Sequence, residues 1–128
     1  MNTDKTGVAI GGYDPVAYFH DGEAVKGDFT IASTVGDATY WFDAEDHKAL
    51  FDADPHRYLP QYGGYCAFGA ALGKKFNADP HVFSIVDGKL YLNLNDSISE
   101  KFADDSETFI RDADTNWADI AAVPAQEL

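Results

Sequence analysis

Val82-Phe83-Ser84-Ile85-Val86-Asp87-Gly88-Lys89-Leu90-Tyr91-Leu92-Asn93 is the stretch that decides how this chain folds. Asp87-Gly88 is a pair that tolerates positive φ at both positions, and the runs on either side, Val82–Val86 and Lys89–Asn93, read as antiparallel strands joined by a two-residue turn. A second pair of strands stands upstream. Asp28–Thr34 and Thr39–Phe42 have the same β-branched and aromatic character around Val35-Gly36-Asp37.

Around the hairpins the period becomes helical. Asp43 reads as the N-cap of a helix over Ala44–Asp52, with His47, Leu50 and Phe51 on one face and Asp54-Pro55 as its stop. Arg57–Gly64 is irregular, and Tyr65–Leu72 is apolar enough for a buried helix that Gly73 ends. Ser97-Ile98-Ser99-Glu100 has capping-box spacing, and Phe109, Ile110, Ala113, Trp117 and Ile120 recur at helical intervals, predicting two amphipathic helices. Asp14-Pro15 offers a cap and a first helical residue for a short turn, Val16–Phe19, that His20-Asp21-Gly22 ends. Residues 1–12 read as a flexible arm, 13–120 as one domain and 121–128 as a loose tail. The expected fold is α+β: short antiparallel strands packed against several helices, the C-terminal helices closing one side. Ala-Asp-Pro-His occurs at 53–56 and again at 78–81, which Asp-Pro turn chemistry explains without a structural repeat.

Composition limits the function classes. The 22 Asp and Glu against 9 Lys and Arg give a net charge of −13, which repels phosphate backbones, so nucleic acid is not an expected partner. No run of apolar residues is long enough for a membrane span, and residues 1–5 lack the basic and apolar regions of a signal peptide. The single cysteine excludes an internal disulfide. Gly63-Gly64 lacks the lysine and hydroxyl residue of a phosphate loop.

Candidate chemistry gathers at a few side chains. Asp43 and His47, four apart at a helix start, can converge on one point, and imidazole with carboxylate suits Zn²⁺ or Cu²⁺. The plainer reading makes Asp43 a cap and His47 a partly buried histidine. Cys66 reads as a small buried hydrophobe, as the sulfur that completes a metal site with His47 and Asp43, or as a nucleophile with His47, His56 or His81 as base. Tyr62 and Tyr65, with Tyr13 and Tyr18, are candidates to line a small-molecule pocket around Cys66, or to serve as core residues with bonded hydroxyls. His20, His56 and His81 read as turn residues.

Taken together, Gly12-Tyr13-Asp14-Pro15-Val16-Ala17-Tyr18-Phe19, Tyr40-Trp41-Phe42, Asp54-Pro55-His56-Arg57-Tyr58 and Pro60-Gln61-Tyr62-Gly63-Gly64-Tyr65-Cys66-Ala67 resemble the YHS domain family, in particular its longer bacterial members. Asp87–Asn93, Ala113-Asp114 and Asn116-Trp117 extend the resemblance over nearly the whole chain. The resemblance implies a metal-binding module of the YHS and TRASH kind, found beside copper-transporting ATPases and heavy-metal sensors. The cysteines that serve as ligands there fall here on Ala17, Asp43 and His47. The longer members often carry export signals, which implies a periplasmic or secreted protein if such a signal has been removed and a cytoplasmic one otherwise. The expectation is a non-enzymatic protein whose partner is a metal ion, Cu or Zn; the alternative is a small-molecule binder or enzyme built around Cys66.

Overall fold

The computed structural model describes residues 1–128. Six α-helices and two small antiparallel sheets of two strands each make an α+β domain. In chain order, α1 is Ala17–His20, β1 is Asp28–Val35, β2 is Ala38–Phe42, α2 is Glu45–Ala53, α3 is Pro55–Tyr58 and α4 is Ala67–Ala71. β3 is Asp79–Val86, β4 is Lys89–Asn93, α5 is Asp96–Asp104 and α6 is Ser106–Ile120. No helix is long and apolar enough to cross a membrane.

Both hairpins form as their sequences predict. Val86 pairs with Lys89 across Asp87-Gly88, and Val35 with Ala38 across Gly36-Asp37. Asp87 and Gly88 both take positive φ, the conformation such a turn requires.

The two hairpins belong to a larger repetition that the sequence reading did not anticipate. An eight-residue strand, a turn, a five-residue strand, a short link and a nine-residue helix occur as β1, β2 and α2, and again as β3, β4 and α5. Every boundary lies 51 positions after its counterpart, from Asp28 to Asp79 and from Ala53 to Asp104. Each sheet has an irregular register at its open end, between Asp28 and Ala32 and between Asp79 and Phe83. The parallel bridge Val8 to Thr39 is matched by Pro60 to Leu90. Upstream of the short helices, Ile10, Gly11 and Gly12 take positive φ, as do Tyr62, Gly63 and Gly64. The next residues but one, Asp14 and Cys66, donate their backbone N–H to Val25 and Phe76 respectively. The chain is therefore two successive copies of one unit, about 8–58 and 60–109, followed by the rest of α6. Ala-Asp-Pro-His is not the repeated element: it falls in α2 and α3 at one occurrence and at the start of β3 at the other.

The copies share their core. Tyr18, Tyr40, Phe42 and Phe51 of the first pack in one buried cluster with Leu90 and Leu92 of the second. A second cluster joins Tyr62, Ala67, Ala70, Tyr91 and Phe102 to Ala113 of α6.

Several local expectations are corrected. Residues 1–12 are anchored rather than an arm: Thr3 pairs with Ala9, the Val8 side chain is buried and Ala9 is fully enclosed, because the Val8 strand segment adds to β2. Asp43 does not cap α2. Ala44 holds that position, and no side chain accepts there. The cap of α5 is Asn95, whose Oδ1 accepts from Ile98 N at 2.9 Å, two residues before the expected capping box. The helix expected over Tyr65–Leu72 is shorter, with Cys66 at its N-cap position. The 121–128 segment holds a 3₁₀ turn, Ala125–Glu127, and is tied back by Lys75 Nζ, which donates to the carbonyls of Ala121 and Val123.

Candidate functional site

Asp14 is the centre of the site. It follows the strained Ile10–Gly12 turn and precedes Pro15, which puts its carboxylate inside the protein with none of its surface exposed. Oδ1 accepts from the backbone N–H of Val16 at 2.8 Å and of Ala17 at 3.3 Å, covering free donors at the start of α1. Oδ2 accepts from Asp43 N at 2.9 Å and lies 2.6 Å from Nδ1 of His47. Four donors thus converge on two oxygens, the full acceptor complement of a carboxylate. A buried charge is tolerable only when it is paired in this way.

The consequence for His47 is chemical. Nδ1 donates to Asp14, which fixes the tautomer and leaves Nε2 as the ring nitrogen with a free lone pair. Burial lowers the His47 pKa, but the Asp14 hydrogen bond and the charges of Asp14, Asp21 and Asp46 outweigh it, and the net shift is upward. The buried geometry supports that direction, since the Asp14 pair is short and shielded from water.

Next to His47 stand His20, the last residue of α1, and Asp21, the residue after it. The His20 and His47 rings are 5.3 Å apart, centroid to centroid. One ligand atom from each of His20, Asp21 and His47 lies within 4.8 Å of the other two. His20 and Asp21 are exposed and His47 is buried, so a rigid ligand faces two adjustable ones. Two imidazoles and a carboxylate can hold a borderline divalent cation and leave a coordination position open.

The second copy shows what the fold requires at these positions. Gly22 and Gly73, each at positive φ just after the short helix, fix the correspondence there. Ala71 stands for His20, Leu72 for Asp21 and Ile98 for His47. None of the three can bind a metal. The second copy of the fold is built without ligands at these places.

Of the residues expected to form a metal site, His47 lies in this cluster and the other two do not. Asp43 contributes only its backbone N–H to Asp14, and its side chain is exposed. Cys66 is 1 % exposed, and its Sγ lies 3.5 Å from Oδ1 of Asn93, which also accepts from Phe68 N at 3.0 Å. Cys66 thus belongs to the corresponding hub of the second copy, where Asn93 at the end of β4 supplies the acceptor that Asp14 supplies in the first. The Gly63-Gly64 turn does not carry the sulfur into the His47 cluster.

Tyr62 is buried, and its hydroxyl donates to Asp114 Oδ1 at 2.8 Å; burial and Asp114 raise its pKa. Tyr65 is half-buried beside Trp117, with Lys75 Nζ 5.4 Å from its ring centroid. Neither faces Cys66 as the wall of a shared pocket. His81 lies in β3 with Nε2 2.8 Å from the Tyr13 hydroxyl, and His56 lies in α3, so neither is a turn residue.

Asp14, His20 and Asp21 are not among the residues expected as ligands or partners from the sequence. The available signal was local: an Asp-Pro cap whose helix ends after one turn in His-Asp-Gly, placing two ligand types at its exit. Compared with protein-family models, curated proteins and solved structures, the chain matches none of them.

Proposed function

We propose that this protein is a YHS-like, non-enzymatic module that binds one divalent metal ion, Zn²⁺ or Cu²⁺, through His20, Asp21 and Nε2 of His47. The observation that carries this reading is that ligand atoms of His20, Asp21 and His47 lie within 4.8 Å of one another, with Nδ1 of His47 held by a buried carboxylate. That carboxylate–imidazole arrangement orients metal-binding histidines and raises their basicity. The absence of thiolate from the cluster favours Zn²⁺ and Cu²⁺ over Cu⁺. The net charge of −13 adds a diffuse attraction for cations.

Chelator-treated protein titrated with ZnCl₂ or CuCl₂ tests it. Stoichiometric uptake is expected, with a rise in Tm that corresponds to about 2.7 kcal/mol at a hundredfold excess over Kd. His20→Ala should abolish both and leave the metal-free Tm unchanged, because His20 is exposed. Cys66→Ala should bind metal like the unaltered protein. Metal uptake that survives His20→Ala but is lost in Cys66→Ala would overturn the assignment of ligands; no uptake at all would overturn the function.

A further inference from the structure

We propose that the recess between the Pro60–Gly63 loop and α6 binds a small organic cation, an alkylammonium whose nitrogen meets Asp114 and whose apolar body lies against Trp117. The recess has a volume of about 380 Å³, within the range of small-molecule sites. Asp114 and Trp117 both line it, and three positions apart on α6 they share one face of the helix. Pro60, Leu59 and Met1 give it apolar walls.

Its polar part presents one carboxylate, that of the exposed Asp114. Asp114 Oδ1 accepts from the Tyr62 hydroxyl, which also reaches Ile110 O at 3.4 Å, so the carboxylate is oriented by a buried neighbour. A carboxylate has acceptor capacity for about four donors, and Tyr62 uses one. No lysine or arginine lines the recess, and Asp114 takes part in no ion pair. The other titratable groups of its lining residues are Tyr62, His56 and the α-ammonium of Met1, which forms no ion pair with Asp114. Trp117 already receives one cation within the fold, Lys75 Nζ at 5.1 Å from a ring centroid, outside the recess. An ammonium with a hydrocarbon body matches a wall that is indole on one part and, on another, a carboxylate with acceptor positions left over from Tyr62.

The first copy of the unit shows that this corner is not dictated by the backbone. Ile10 occupies the place of Tyr62 with the same positive φ, 57° at both, and has no hydroxyl to orient an acid. The Tyr62 to Asp114 pair is therefore an addition of the second copy and α6.

The test uses n-butylammonium chloride against 1-butanol, at constant ionic strength, with metal-free protein carrying Trp41→Phe so that Trp117 is the only indole. The ammonium is expected to give a saturable change in Trp117 fluorescence, and the alcohol none over the same range. Asp114→Asn keeps an acceptor for Tyr62 and should weaken binding about tenfold, as should Trp117→Leu followed by calorimetry. His20→Ala should leave it unchanged, which separates this site from the metal cluster. Equal binding of 1-butanol, an unsaturable signal, or full affinity in Asp114→Asn would each overturn the proposal. Comparison of the two ligands on protein with Asp114 and Trp117 intact decides the matter even if a variant fails to fold.

Discussion

Asp14 accepts more hydrogen bonds than any other side chain of the molecule, and its substitution separates two contributions. Asp14→Ala strands the N–H groups of Val16, Ala17 and Asp43 and the Nδ1 of His47 in a buried site. A loss of about 3–5 kcal/mol is expected from urea unfolding, the range for breaking a buried charged network. Asp14→Asn preserves the shape but not the charge, so it should be milder in stability and still severe for metal affinity. The His47 pair also makes stability depend on pH. Because its folded pKa is raised above the unfolded value of about 6.5, the contribution is fully present below that value and is lost as pH rises through the folded pKa. In metal-free protein, the stability difference between the unaltered chain and His47→Gln should shrink from pH 6 towards alkaline pH; a difference that grows over this interval would refute the pairing. Cys66, enclosed and bonded to Asn93, should resist alkylation until the protein unfolds.

At the scale of elements, the two Gly-Gly-Tyr turns set the entry of each short helix. Gly12 has φ +81° and no room for a side chain: a Cβ would sit 2.5 Å from Cε3 of Trp41. Gly88 has a similar φ, +74°, but faces open space. Gly12→Ala should therefore destabilise by clearly more than the roughly 1 kcal/mol of backbone strain expected for Gly88→Ala, as read from Tm. The hairpin around Asp87-Gly88 was legible in sequence because its turn chemistry is local. The helix around Cys66 was legible only in outline, since the Phe76 carbonyl that receives the Cys66 N–H is supplied by a different segment. His20 and Asp21 were legible as the end of a turn, but their nearness to His47, on which the proposed metal site rests, appears only when α2 brings that residue alongside.

For the whole molecule, duplication changes what should be compared. Because Leu90 and Leu92 of the second copy complete the core of the first, neither copy should fold alone, and calorimetry should show one transition with equal calorimetric and van't Hoff enthalpies. Two resolved transitions would mean the copies are independent. The repetition was hidden in sequence because few residues coincide: Gly-Gly-Tyr, Gly22 with Gly73, Asp28 with Asp79, Ser33 with Ser84, Val35 with Val86, Tyr40 with Tyr91, Phe51 with Phe102 and Asp54 with Asp105. A fold constrains burial and backbone conformation, and many residues satisfy the same constraint. What the amino-acid order determined by itself was the local part: two hairpins, the helices that follow them and the α+β class, all set by turn chemistry and periodicity within a few residues. Tertiary structure alone decided the site. Asp14 and His47 are 33 positions apart, and only the tertiary fold, which brings α2 beside the Asp14 turn and the end of α1, gives the histidine its buried partner and its neighbours. Packing within the second copy placed Cys66 beside Asn93 instead, because a side chain's chemistry depends on contacts that sequence separation does not encode.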